Sequence, residues 1–413
     1  MNLYIFNETR RGTVYGVGTY IRELTVALKD SNINICVVNL TSDKPHIQTN
    51  EMDGVRHWYF PAPILELRTI DNQKIREIYY RNVVYLLQLY IQDKMDLIFH
   101  LNYIECKPLA DALRIVFDCK IVFVIHYLHS VMNLLGHINL LRRIISQTNE
   151  LTDKDKKSAK ELFLKEKELS HTMDKIICLS NHTFDLLHQD YQIGKEKMVV
   201  LCNGLIDSYF FKKKQTLRLK YHIPDIPIIL FVGRVDSIKG LTYALRAFKT
   251  VLNTLPHCRF IIAGNGTFDF HLIECEDIWM NVTWTGLIEK DKLYDLYSIA
   301  DIGVMPSFHE QCSYVAIEMM MHGLPIIGST TTGLKEMIED NETGLHIPVI
   351  EYDKSVEIDT SLLAEKILYL LQHPMKAKQL GKNSRKRFLK HYSSEVFCRN
   401  MLDFYHSLYE KDV

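Results

Sequence analysis

The feature that most constrains this chain is a recurrence of short apolar runs, each followed by a stretch with helical spacing. In the first half the runs are Leu3–Phe6, Ile33–Asn39, Leu97–Leu101, Ile121–Ile125, Lys175–Leu179 and Met198–Cys202. In the second half they are Ile228–Val232, Arg259–Ala263, Val282–Thr285, Ile302–Met305, Pro325–Gly328 and Gly344–Ile347. Runs this short, without polar alternation, suit strands buried on both faces. Strands alternating with helices form right-handed βαβ units and parallel sheets. The expected class is therefore α/β. Twelve such strands exceed one comfortable open sheet, and 413 residues suit two or three domains, so two sheets are expected.

The expected seam lies at 204–227. It holds Gly204, the basic triplet Lys212 to Lys214, Pro224 and Pro227, with few apolar anchors. This divides the chain into a first domain over 1–205, a second over 206–390 and a tail over 391–413. From Ser393 to Glu410 the tail has Val396, Phe397, Met401, Phe404, Leu408 and Tyr409 at helical spacing behind a serine cap.

Residues 130–170 break the rhythm and carry no strand. Ile138, Leu141, Ile144 and Ile145 form an apolar stripe flanked by Arg142 and Arg143. Thr152 then opens a charged helix through Asp155, Lys156, Lys157, Lys160 and Glu161. The plainer reading is two surface helices packed on the first domain. The functional alternative is an insert that binds an acceptor or touches a membrane.

Charge excludes one large class. Lys plus Arg is 49 and Asp plus Glu is 50, with no basic excess for a general nucleic-acid binder. The nine cysteines are odd in number and include no CxxC pair, which fits neither a disulfide framework nor a zinc knuckle. They are read as reduced thiols of a cytoplasmic protein. Met1 runs straight into Leu3, Tyr4, Ile5 and Phe6 without a basic n-region, so no secretory leader is expected. No stretch of 18 apolar residues suggests a membrane span.

Four constellations carry candidate chemistry. The first is Gly12, Gly16 and Gly18, running to Tyr20 directly after the first strand, with Ile21, Leu24 and Leu28 on the helix behind. Glycine admits a close ligand, and a helix N-terminus attracts anions. A dinucleotide fingerprint needs a small residue where Ile21 stands and an acid where Asn39 and Leu40 stand. A P-loop needs a Gly-Lys-Ser/Thr that is absent. An ordinary tight βα turn is the competing reading. The second is His126, at the end of the run 121–125, where open α/β sheets bind ligands. A lone histidine there is more often structural, and His129 nearby does not make a metal site.

The third runs from Phe231 through Gly233, Arg234 and Lys239 to Gly240. Two cations at a βα turn suit a diphosphate, Arg as a fork and Lys as a point charge. Either one alone reads as a solvated surface charge. The fourth runs from Asp301 through Pro306 and Ser307 to Glu310, then on to Glu318, eight residues further. Between the two carboxylates lie the amides of Cys312, Ser313 and Tyr314 at a helix start. That block offers carboxylates for sugar hydroxyls on either side of an amide nest for phosphate. A capping acid plus a buried-edge Glu explains one carboxylate, not the whole block.

With these motifs the sequence resembles the family-4 retaining glycosyltransferases of the GT-B fold. The likeness covers nearly the whole chain. It includes the Gly16/Gly18 loop, Gly233-Arg234 with Lys239-Gly240, Ala263 to Gly266, Thr285-Gly286, Ala300-Asp301, Pro306-Ser307, the Glu310/Glu318 pair and Gly323 to Pro325. The resemblance implies two Rossmann-like domains facing a cleft, with the last helix crossing back onto the first. By this likeness Arg234 and Lys239 hold the diphosphate of a sugar nucleotide and Gly233 and Gly264 line the donor site. Glu318 takes the ribose and Glu310 the hydroxyls of the transferred sugar. His126 lies beside that sugar, and the Gly16–Gly18 loop closes over the phosphates. Many relatives have Gly where Ser313 stands, which narrows the approach to phosphate. The opening also looks like a Bacteroidetes subgroup thought to accompany peptide-modifying enzymes.

The expected reaction is transfer of a sugar to an acceptor hydroxyl, with retention, on a cell-surface glycan, a lipid-linked sugar or a modified peptide. Cations and amides facing the leaving phosphate dominate such catalysis, and no Asp-x-Asp motif is present. No metal and no cofactor are therefore expected. A glycosidase needs two carboxylates flanking the bond, whereas Glu310 and Glu318 read as ligand holders. A sugar-nucleotide epimerase, a phosphorylase and a non-catalytic sugar-nucleotide binder stand as rivals. The expected location is cytoplasmic, with peripheral contact at the inner membrane face through the first domain as the alternative.

Overall fold

The computed structural model describes residues 1–9, 16–63, 72–147, 153–208 and 214–409. Gly12 to Tyr15 of the glycine-rich stretch, Thr152, and Lys212 and Lys213 of the expected seam lie outside the described residues. All twelve apolar runs are strands, and they form two sheets.

Two compact units emerge from the contacts: residues 1–128, 161–204 and 394–413 form the first, 129–160 and 205–393 the second. The first sheet holds β1 (Asn2–Glu8), β2 (Asn34–Ser42), β3 (Gln48–Met52), β4 (Val55–Pro61), β5 (Leu97–Leu101), β6 (Cys119–Ile125), β7 (Lys175–Cys178) and β8 (Met198–Val200), in the order β3-β4-β2-β1-β5-β6-β7-β8. All pairs are parallel except the β3–β4 hairpin. The central strands are buried on both faces, as their unbroken apolar sequences require: Leu3, Ile5, Ile98, Phe99 and Val122 are almost without exposed surface. Each such side chain taken out of water contributes roughly 1.5–3 kcal/mol.

The hairpin was not expected. β3 is polar and mostly exposed, and β4 buries Val55, Trp58 and Phe60 while its other side chains stay partly or fully exposed. Its turn is Asp53-Gly54, both with positive φ (53° and 78°), the Asp-Gly pairing of a tight two-residue hairpin.

In the second unit β9 (Ile228–Val232), β10 (Arg259–Ala263), β11 (Val282–Gly286), β12 (Ile302–Met305), β13 (Ile326–Ser329) and β14 (Gly344–Ile347) run in the order β11-β10-β9-β12-β13-β14, all parallel. The order reverses at β9 and β12, so the loops after these two strands diverge at a topological switch point, where open α/β sheets receive ligands. A further hairpin, β15 (Val349–Glu351) and β16 (Val356–Ile358), follows.

Two expectations need correcting. The stretch 204–227 is not a bare linker. It holds the helix Lys214–Lys220, in which Leu217 is buried and Arg218 pairs with Asp301 at 3.0 Å. Asp301 also accepts from the Ile228 amide at 2.8 Å, so this member of the family-like block clamps the start of β9. The helical segment expected on the first domain over 130–170 divides instead: 129–160 packs in the second unit. The reason is the unforeseen hairpin. His137 Nε2 bonds the Tyr352 carbonyl at 2.7 Å, Asn139 donates to Glu351 at 2.6 Å, and Arg143 pairs with Asp353.

The last helix, Ser394–Ser407, buries Phe397, Met401, Phe404 and Tyr405 and packs in the first unit on the helix Gly16–Leu28. Phe397 meets the Tyr20 ring at 5.9 Å, and Cys398 Sγ donates to the Ala27 carbonyl at 3.0 Å. Among the described residues, no helix is long and apolar enough to cross a membrane.

Candidate functional site

The second unit's site grows from the loops at the carboxyl ends of β9, β10, β12 and β13. After β9 come Gly233 and Arg234, whose Nη2 lies 3.2 Å from Asp236 Oδ2. The chain then makes a one-turn 3-10 helix, Ser237–Lys239, and turns at Gly240 with φ of 67°. A Cβ at Gly240 would meet the Pro306 carbonyl oxygen at 1.9 Å. Only glycine lets this turn approach the loop after β12, and that approach carries Lys239 to Glu310. Gly264, at the end of β10, serves a similar purpose: a Cβ there would lie 1.8 Å from the Gly233 carbonyl oxygen.

Lys239 Nζ lies 2.6 Å from Glu310 Oε1, with side chains 20% and 10% exposed. Ser307 Oγ donates to the same oxygen at 3.0 Å. The Glu310 backbone is held as firmly. Its amide donates to Thr332 Oγ1 at 2.9 Å, and its carbonyl accepts from the Gly333 amide at 2.8 Å. Ser329 and Thr331 bond the carbonyls of Ser307 and Phe308 from the same side. The hydroxyl run Ser329 to Thr332 therefore straps the Glu310 loop to the end of β13. Sequence reasoning missed this strap, whose signal was a cluster of hydroxyl residues directly after a strand.

Glu318 lies in the helix Tyr314–Met321. Tyr297 donates to its Oε2 at 2.8 Å. Burial, reinforced by the adjacent carboxylate, pushes the Tyr297 hydroxyl well above its ordinary range, so it stays protonated and keeps donating. Tyr297 is a second residue the linear pattern did not reveal. Cys312 and Ser313 are buried and Tyr314 is half-buried at the helix start. The Ser313 amide points at Met337 Sδ, 3.3 Å away, a weak acceptor.

Gly16, Gly18 and His126 belong to the first unit. Gly16 and Gly18 lie in the first turn of the helix Gly16–Leu28, not in a loop ahead of it. Among the described residues, a Cβ at Gly16 would meet nothing within 4 Å. His126 follows β6, as expected. Its Nε2 lies 2.9 Å from Asn102 Oδ1, and Tyr20 meets the ring edge-on at 4.8 Å. Desolvation lowers its pKa to about 3, so the ring is neutral at pH 7. Asn102, 2% exposed just beyond β5, had no linear signal.

Comparison with known proteins matches this architecture to two family models. Residues 14–208 match Glycosyltransferase Family 4, and 213–387 match Glycosyl transferases group 1. Between them they span both units' main segments, and the chain belongs to the family-4, group 1 glycosyltransferases. The fold is GT-B. A sucrose-phosphate synthase from Thermosynechococcus elongatus superimposes with a TM-score of 0.77 at 22% identity, covering 99% of both chains. HepE from Anabaena, solved with UDP and glucose, gives 0.72 at 14% identity, covering 98% of this chain and 100% of that one. Among curated proteins, the alpha-D-kanosaminyltransferase of Streptomyces kanamyceticus is 28% identical over 218 residues, 51% of this chain. The chain spans 54% of that relative's length, about half.

Proposed function

We propose that this protein is a retaining glycosyltransferase that moves a sugar from a nucleoside-diphosphate sugar to an acceptor hydroxyl without a metal ion. The observation that carries the reading is the Lys239–Glu310–Ser307 cluster at the switch point of the second sheet. A cation and a carboxylate pinned side by side suit a ligand with a phosphate at one end and hydroxyls at the other. Arg234 supplies a second cation in the same loop after β9. Glu318, oriented by Tyr297, suits a ribose diol. UDP and UDP-glucose complexes among the structural neighbours support a nucleotide-sugar donor. A neighbour from lipopolysaccharide biosynthesis and a relative from capsular polysaccharide biosynthesis support a glycan or lipid-linked acceptor, with a modified peptide as the narrower alternative.

In this mechanism the acceptor oxygen attacks the anomeric carbon from the face the phosphate leaves. The carbon–oxygen bond to phosphate breaks, and the acceptor's proton passes to the departing phosphate oxygen. Negative charge grows on the diphosphate as the bond opens. Arg234, Lys239 and the helix-start amides meet that charge already oriented, so they stabilise the transition state more than the ground state. Glu310 takes hydroxyls of the sugar, and the family resemblance assigns the neutral His126 to the same sugar. The test is transfer from a panel of UDP-, GDP- and dTDP-sugars to glycan, lipid-linked and peptide acceptors, with the product's anomeric configuration read by NMR. Product of unchanged configuration is expected. Inversion, or donor turnover that yields only an epimerised sugar nucleotide, overturns the reading.

A further inference from the structure

We propose that Asn102 is a positioning residue: it holds His126 with the ring hydrogen on Nε2, so that Nδ1 is presented as a hydrogen-bond acceptor for a sugar hydroxyl. The inference rests on the glycosyltransferase reading, in which His126 lies beside the transferred sugar.

The argument is a chain of forced donor and acceptor roles that starts at the main chain. Asn102 Nδ2 lies 3.1 Å from the Phe6 carbonyl of β1 in a buried setting. A carbonyl only accepts, so the amide nitrogen must face it. That turns Oδ1 toward His126 Nε2 at 2.9 Å. An amide oxygen also only accepts, so Nε2 must carry a hydrogen. A neutral imidazole protonated there has its lone pair on Nδ1. Among the described residues Nδ1 has no hydrogen-bond partner.

The groups facing the ring support a neutral state. Tyr20, from the helix Gly16–Leu28, packs edge-on. His100, from β5, is the other titratable neighbour, and its own pKa is lowered by burial first and by His126 second. His100 is itself held neutral, with Tyr20 OH 3.4 Å from its Nε2 and Tyr405 OH 2.8 Å from its Nδ1. Among the described residues no carboxylate or cation perturbs His126, and burial lowers its pKa. The ring is thus a neutral acceptor of defined orientation, which suits an O–H donor and disfavours an anion at Nδ1.

The first test needs no turnover. In the full chain with ¹⁵N-labelled histidine rings, the His126 resonances are those missing from His126→Gln. Between about pH 6 and 8, where free histidine titrates, they should show a protonated Nε2 and an unprotonated Nδ1. A ring protonated on Nδ1 overturns the proposal whether or not the chain transfers sugar. Failure of transfer with the expected tautomer would instead sink only the functional reading. The second test is kinetic. Asn102→Ala releases the tautomer and should lower kcat/KM by about 10- to 100-fold. Asn102→Asp still accepts from Nε2 but attracts a second ring proton. Its rate should approach wild type near pH 8 to 9 and fall below about pH 6, while the wild-type profile stays flat. An Asn102→Asp profile as flat as wild type, with a loss equal to that of Asn102→Ala, would reduce Asn102 to packing.

Discussion

At the scale of single residues, the closest ionic contact of the site joins side chains 71 positions apart, Lys239 and Glu310. Neither is isolated, so each variant strips the other of its partner. Lys239→Ala should lower turnover by about 10²- to 10³-fold, the usual loss of one transition-state donor. Steady-state kinetics of the folded variant at saturating donor checks this, and full activity would remove Lys239 from the mechanism. Both residue types were legible in the sequence as candidates for phosphate and hydroxyl contact. Their pairing was not, because it depends on the turn at Gly240 meeting the loop at Pro306. The Ser329–Thr332 strap and Tyr297 escaped for the same reason: each acts on a backbone or carboxylate brought to it from another strand.

At the scale of elements, Gly240 decides whether the start of the helix Leu241–Leu252 can reach the loop after β12. Gly240→Ala adds a left-handed residue and a contact of 1.9 Å with a carbonyl. It should destabilise the chain by about 2 kcal/mol or more, read as a lower urea midpoint. An unchanged midpoint would show that the turn relaxes freely. In the first unit, His100 of β5 ties together the helices Gly16–Leu28 and Ser394–Ser407 through Tyr20 and Tyr405. Burial lowers the His100 pKa from its ordinary 6.5 to about 3. Between those values the unfolded chain binds a proton that the folded chain refuses, so stability is full above pH 6.5 and falls as the pH drops toward 3. Denaturation at pH 6.5 and 5 should differ by about 2 kcal/mol from His100 alone. His100→Gln should remove its share of that slope, leaving the part that the equally desolvated His126 contributes, and an unchanged slope would place the titration elsewhere. Elements with strong, simple patterns were readable in advance. The β3–β4 hairpin was not read, although Asp53-Gly54 marked its turn, because β3 is polar and carries no apolar run.

At the scale of the whole molecule, the proposed mechanism assigns charge stabilisation to side chains and amides of this chain, so transfer should persist in excess EDTA. Activity lost in chelator and restored by Mg²⁺ or Mn²⁺ would overturn the metal-free mechanism. The cognate sugar nucleotide should also raise the thermal midpoint, since a ligand at about 100 times its Kd adds roughly 2.7 kcal/mol to the folded state. A panel in which no UDP-, GDP- or dTDP-sugar shifts the midpoint would count against the donor site.

Apolar runs and their spacing by themselves determined the α/β class, the twelve core strands and their division between two sheets, because strands buried on both faces must be written in continuous apolar sequence. The chemical types at the strand ends were equally plain, since phosphate and hydroxyl recognition draws on few residue types. Only the tertiary structure decided which of these groups touch, that residues 129–160 pack with the second unit, and that His126 Nε2 faces Asn102. Those outcomes depend on hydrogen bonds and close approaches between segments far apart in the chain, whose directions no local pattern encodes.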